Sequence, residues 1–127
     1  MNIKSGDYSI SKRLQSFHHA INGIAELLMS QQNARIHAVV AITVILAGFL
    51  LDVSAIEWCF LVMAIVSVLV CEAINTAFES LCDVVSPELH PLVKKSKDIA
   101  AGAVLLSVIG SVVIGLIIFL PYLYQYC

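Results

Sequence analysis

Charge is scarce in this chain: Asp, Glu, Lys and Arg together make up 13% of its 127 residues, about half the share of an ordinary soluble domain. Neither sign dominates. Seven Lys+Arg against nine Asp+Glu give a net charge of −2, which excludes the cationic face that a nucleic-acid binder needs. Glycine never gathers into a phosphate loop, because Gly6, Gly23, Gly48, Gly102, Gly110 and Gly115 are dispersed; any nucleotide site must therefore be built from side chains and a metal ion. The cysteines Cys59, Cys71, Cys82 and Cys127 form no C-x-x-C pair and fit neither a disulfide framework nor a zinc site. They read as small apolar packing residues. A secretory leader is not expected, since residues 1–11 are polar and no apolar stretch follows the first charges closely.

Apolar residues fill the space left, at 60% of the chain with a mean hydropathy of +0.94. The length suffices for one domain. A water-soluble domain of this size has too little interior to hide that much apolar surface, so a lipid bilayer is the expected solvent. Three runs are candidates to cross it: residues 36–51, residues 55–71 with a polar extension to 85, and residues 99–120, which carry no charge. Pro121 with Tyr122, Tyr124 and Tyr126 reads as the interfacial end of the third run. Lys4, Lys12, Arg13 and Arg35 precede the first run, and Lys94, Lys95 and Lys97 lie between the second and third. With three spans every positive charge falls on one side, which the positive-inside rule makes cytoplasmic.

Ahead of the first run, Leu14, Phe17, Ile21, Ile24 and Leu28 recur at intervals of 3, 4, 3 and 4. That spacing draws one apolar stripe along a helix over residues 10–30. Such a helix can lie in the cytoplasmic interface or pack on the bundle; a coiled-coil partner is the competing explanation. The expected architecture is thus an all-α integral membrane protein, one amphipathic surface helix plus three transmembrane helices, in a single domain over residues 1–127.

The chemistry sits at the end of the second span. The sequence CEAINTAFESLCDVV contains no Pro or Gly before Ser86–Pro87, so the helix is expected to run on to 85. Along it Glu72, Asn75, Glu79 and Asp83 are spaced 3, 4 and 4. At about 100° per residue they share one stripe roughly 80° wide. Glu72 lies about 24 Å along the helix from Ile56, inside a hydrocarbon core of roughly 30 Å, and Glu79 about 10 Å beyond. The stripe therefore begins just inside the boundary and emerges into water. A partly desolvated Glu72 suits a proton acceptor, whereas the wetter Glu79 and Asp83 suit Mg²⁺ carried by phosphates. Lys94, Lys95, Lys97 and Asp98 stand across a short loop, where a lysine can hold nucleotide phosphates. The plainer alternative is a solvated helix end beside a basic loop.

Residues 72–105, EAINTAFESLCDVVSPELHPLVKKSKDIAAGAVL, resemble the small prokaryotic integral-membrane lipid kinases, the diacylglycerol kinase/undecaprenol kinase family. The pattern E-x-x-N-x-A-x-E-x-x-x-D is met in full, and S-F-x-x-A-x-x-G from Ser16 and N-x-R-I-H from Asn33 match upstream. The resemblance implies a homotrimer in the bacterial inner membrane, with its N-terminus cytoplasmic and its C-terminus outside. Its active sites would be shared between subunits and use ATP with Mg²⁺. It implies Glu72 as the general base on a lipid hydroxyl and Glu79 as a metal ligand, with Asn75 shaping the reacting centre and Asp83 and Arg35 in support. It places Glu88, His90, Lys97 and Asp98 on the nucleotide, with Lys12 and His19 of the surface helix. The family usually has Glu where this chain has Gln31; a neutral amide still offers one oxygen to the metal and ATP, with one negative charge fewer, and Glu26 is a nearby acid. R-I-H and V-S-P-E-x-H-P-L look like the branch typical of Gram-positive bacteria, which favours undecaprenol; the diacylglycerol-preferring branch more often shows R-x-E.

The expected activity is therefore transfer of the γ-phosphate of ATP to a lipid hydroxyl, undecaprenol ahead of diacylglycerol. A small cation or proton transporter is the rival from another class, but such proteins place the coupling acid near the midplane. A bundle without catalysis is the reading left if Gln31 disables the metal site.

Overall fold

A computed structural model describes residues 9–126 and consists of four helices: α1 (Ile10–Ser30), α2 (Gln32–Leu50), α3 (Ala55–Val85) and α4 (Pro91–Gln125). Lys4, the polar start before Ser9, and Cys127 lie outside the described residues. Local chemistry fixes most of the helix ends. Ser9 caps α1 by accepting from the Lys12 N–H. Ser54 and Glu57 form a reciprocal capping box at the start of α3, satisfying two amide groups that would otherwise lack partners. Gln31 alone separates α1 from α2, its N–H donating to the Leu27 carbonyl.

Two boundaries depart from the apolar runs. The helix containing the first run starts at Gln32, four residues before residue 36. The third begins at Pro91 and continues to Gln125, so Lys94, Lys95 and Lys97 stand in its first two turns and not in a loop. His90 supplies the cap by accepting from the Leu92 N–H, and Pro91 at the first helical position needs no donor and has its φ preset. Hydropathy located the buried stretch; capping chemistry sets the helix. Pro121 does not end α4, since the helix passes through it, a placement membrane helices tolerate. Just past it the Tyr122 hydroxyl donates to the Glu57 carboxylate at the start of α3.

The α2–α3 connection is a tight C-terminal motif. Val53 N–H donates to the Gly48 carbonyl at 3.1 Å and Asp52 N–H to the Phe49 carbonyl at 3.3 Å, with Asp52 at φ 53° in the position that usually takes glycine. Val53 thereby turns into a core with Leu61 and Ile118, flanked by Val44, Trp58, Ile114 and Phe119. Gly48 is required here. A Cβ added to it would stand 2.6 Å from the Trp58 ring, whereas one added to Gly115 meets nothing within 4 Å. Gly48→Ala is expected to destabilise the protein by about 1–3 kcal/mol through overpacking, read as a lower unfolding midpoint in detergent, while Gly115→Ala, which has room for its methyl and gains helix propensity, does not lower that midpoint.

All three other helices touch α3, but α2 and α4 do not pack on each other. Helices α2, α3 and α4 are each long and apolar enough to cross a membrane. The apolar stripe of α1 is left uncovered by the chain, with Leu14, Phe17, Ile21 and Ile24 all exposed, as befits a helix lying on a membrane surface.

Candidate functional site

The α3 stripe grades from dry to wet. Glu72 is buried to 3% exposure, the one buried charged residue among those described; Asn75 and Glu79 are half-buried and Asp83 is exposed. The order is the one expected of a helix carrying acids out of a bilayer. The Asn75 side-chain oxygen is buried without a hydrogen-bond partner, which is costly unless a ligand or water completes it.

Glu72 is covered by His37, whose Nε2 lies 3.7 Å from a Glu72 carboxylate oxygen. His37 was not among the site residues expected from sequence. The signal was present in the chain direction: His37 opens the first span and Glu72 closes the second, so antiparallel helices bring them to one depth.

Helix α4 contributes a second contact. Lys97 Nζ donates to Asp83 Oδ1 at 2.7 Å, fourteen positions back along the chain, and so ties the start of α4 to the acidic stripe. Lys94 pairs with Asp98 one helical turn on, at 2.8 Å. His90 uses Nδ1 to cap α4, and Glu88 lies exposed in the preceding loop, where its carbonyl accepts from the Ser86 hydroxyl. Arg35 donates to the Met29 carbonyl at 3.0 Å, bracing the α1–α2 corner. His19 is exposed on α1 with its ring 6.2 Å from that of His18, and Lys12 sits in the first turn of the same helix.

Gln31 lines a cleft of about 610 Å³ between α1 and α3, together with Glu26 and the Ala73, Thr76, Ala77 and Ser80 flank of α3, which adjoins Glu79. Among the described residues no three of His, Cys, Asp or Glu converge as a metal cage. A half-buried carboxylate and a separate amide are a donor set that suits Mg²⁺ delivered on nucleotide phosphates, since that ion takes one or two carboxylates and fills its other positions with phosphate and water. The residues present fit such a delivered ion and do not form a resident all-protein site.

With this geometry in hand, comparisons with known proteins converge. The family described as prokaryotic diacylglycerol kinase matches residues 18–119. An undecaprenol kinase of Bacillus subtilis is 39% identical over 121 residues, covering 95% of this chain and 98% of that protein. A diacylglycerol kinase of Synechocystis is 40% identical over 109 residues, covering 85% of this chain and 62% of that protein. The diacylglycerol kinase of Escherichia coli K12 is 28% identical over 91 residues, covering 72% and 75%.

Proposed function

The chain belongs to the prokaryotic diacylglycerol kinase family and is a bacterial membrane phosphotransferase that uses ATP on a lipid alcohol; from that premise we propose that the alcohol is undecaprenol, phosphorylated at the boundary where the α3 stripe leaves the bilayer. The observation that carries the reading is the buried carboxyl of Glu72 at the dry end of a stripe whose wet end holds Lys97. A lipid hydroxyl held at headgroup depth and a nucleotide in water can meet only where such a gradient exists.

In this mechanism Glu72 takes the hydroxyl proton as the acceptor oxygen attacks the γ-phosphorus. The new P–O bond forms while the bond to the β-phosphate oxygen breaks, and ADP leaves. Lys97, with Asp98 and the loop residues Glu88 and His90, orients the phosphates and the nucleoside, and Asn75 uses its unpartnered oxygen at the reacting centre. Lys12 and His19 reach the same nucleotide from α1. Arg35 holds the α1–α2 corner that carries Gln31, and Asp83 holds Lys97 in place. Mg²⁺ bound with ATP would be held by Glu79 and Gln31 and would supply charge neutralisation on the phosphates. As the family resemblance implies, we place the working site between copies in a homotrimer. The end bearing Lys12, Arg13, Arg35 and the α4 lysines is cytoplasmic, as its positive charge requires. The whole chain acts as one lipid-kinase domain.

Undecaprenol is preferred over diacylglycerol for two reasons: the R-I-H sequence at Arg35–His37, and the B. subtilis relative matched over nearly its whole length. The test is a phosphotransfer assay in mixed micelles with labelled ATP, both lipid alcohols and titrated Mg²⁺. A kcat/KM at least about tenfold higher on undecaprenol, equivalent to ~1.4 kcal/mol, and loss of transfer on chelation are expected. The reverse preference overturns the substrate assignment. ATP-independent cation flux in liposomes without lipid phosphorylation overturns the kinase itself.

A further inference from the structure

Because α2 and α4 flank α3 without meeting, an apolar groove of about 200 Å³ remains between them on the α3 face. Its walls run from His37 to Val44 on α2, from Leu61 to Leu69 on α3, and from Val108 to Phe119 on α4. The α3 wall is about 12 Å long at the helical rise per residue. A cavity of that volume suits an aliphatic segment and not a helix about 10 Å across.

One end of the groove is chemically distinct. His37 lines it and lies 3.7 Å from the buried Glu72 carboxylate, one helical turn beyond Leu69. Elsewhere the lining offers a single polar side chain, Ser111, whose hydroxyl already donates to the Ala64 carbonyl at 3.1 Å. The groove is therefore apolar along its length, runs parallel to the membrane-crossing helices and ends at His37, the neighbour of the Glu72 carboxyl group. An aliphatic chain with a terminal hydroxyl matches it end for end. The ester carbonyls of a two-chain glycerolipid would enter it without a donor.

We propose that this groove seats a single isoprenoid chain of the lipid acceptor, entered so that its hydroxyl arrives at the His37–Glu72 end. The assignment rests on the reading of the protein as a polyprenol kinase, and it adds the chain-binding site and the reason for one chain over two. The remaining occupant, side chains of a second copy of this protein, is an outcome of the test.

Gly115 provides the test. It lines the groove about 10 Å from the Val108 level along α4, and a Cβ there meets nothing within 4 Å, so Gly115→Leu fills the slot without displacing the backbone. The expected result is a rise of tenfold or more in the KM for undecaprenol with the KM for ATP unchanged. Turnover of a five-carbon prenol, too short to reach Gly115, stays at the wild-type level. Gly115→Ala is expected to give a smaller shift in the same direction. In the unaltered protein a prenol bearing a diazirine near its tenth carbon is expected to crosslink to Val44 or Phe119. An unchanged undecaprenol KM in Gly115→Leu, with helix content retained, overturns the proposal, and so does a changed oligomeric size with unchanged KM, which assigns the groove to packing between copies. If the wild type phosphorylates neither the long nor the short prenol, the kinase reading fails instead, so the two failures are distinguishable.

Discussion

Replacing Glu72 with glutamine is expected to lower phosphoryl transfer by about a thousandfold, within the range that positioned general bases supply, while the protein stays folded. Glutamine has nearly the volume of glutamate, so no cavity opens at a position that is 3% exposed, and its amide oxygen still faces His37. What disappears is the ability to accept the proton of the attacking hydroxyl. The nucleotide contacts lie two to seven helical turns away in sequence or on another helix, so the KM for ATP is expected to stay within about threefold, the pattern of an interaction made only in the transition state. Kinetics on undecaprenol with a parallel unfolding curve in detergent provide the check. Wild-type turnover removes Glu72 from the chemistry. An equal fall in stability makes it a packing residue.

The architecture was legible in the sequence to the extent that local rules govern it. The stripe from Leu14 to Leu28 and the unbroken polar extension to Val85 each follow a local rule, of period or of helix termination, and each has its counterpart in α1 and α3. The apolar run of the third span did not reveal that α4 starts at Pro91, because a helix can begin in water before it enters lipid. The clue there was the capping pair His90–Pro91, not hydropathy. Three-dimensional proximity was harder to read. The contact between His37 and Glu72 spans 35 positions and needs the helices to be antiparallel and in register. The placement of Gln31 is likewise invisible in sequence: α1 packs so that Gln31 and Glu26 share a cleft with the Thr76–Ser80 flank of α3, beside Glu79.

Lys97 is the second position at which a large change is expected. Its ion pair with Asp83 joins side chains that are 34% and 67% exposed, and such pairs contribute about 0–1 kcal/mol to stability. A lysine with only that structural role is replaceable. If Lys97 also meets the phosphates, Lys97→Met removes a charge from the site of a polyanion. The KM for ATP is then expected to rise by about fiftyfold, on the order of 2 kcal/mol and within the range for hydrogen bonds to charged groups, while the unfolding midpoint hardly moves. Asp83→Asn separates the two roles. It leaves the lysine charge in place and removes its tether, so the KM for ATP is expected to rise only a few-fold. Equal and small effects from both substitutions return the pair to a solvated helix end, and a large effect from Lys97→Met alone places the lysine on the nucleotide.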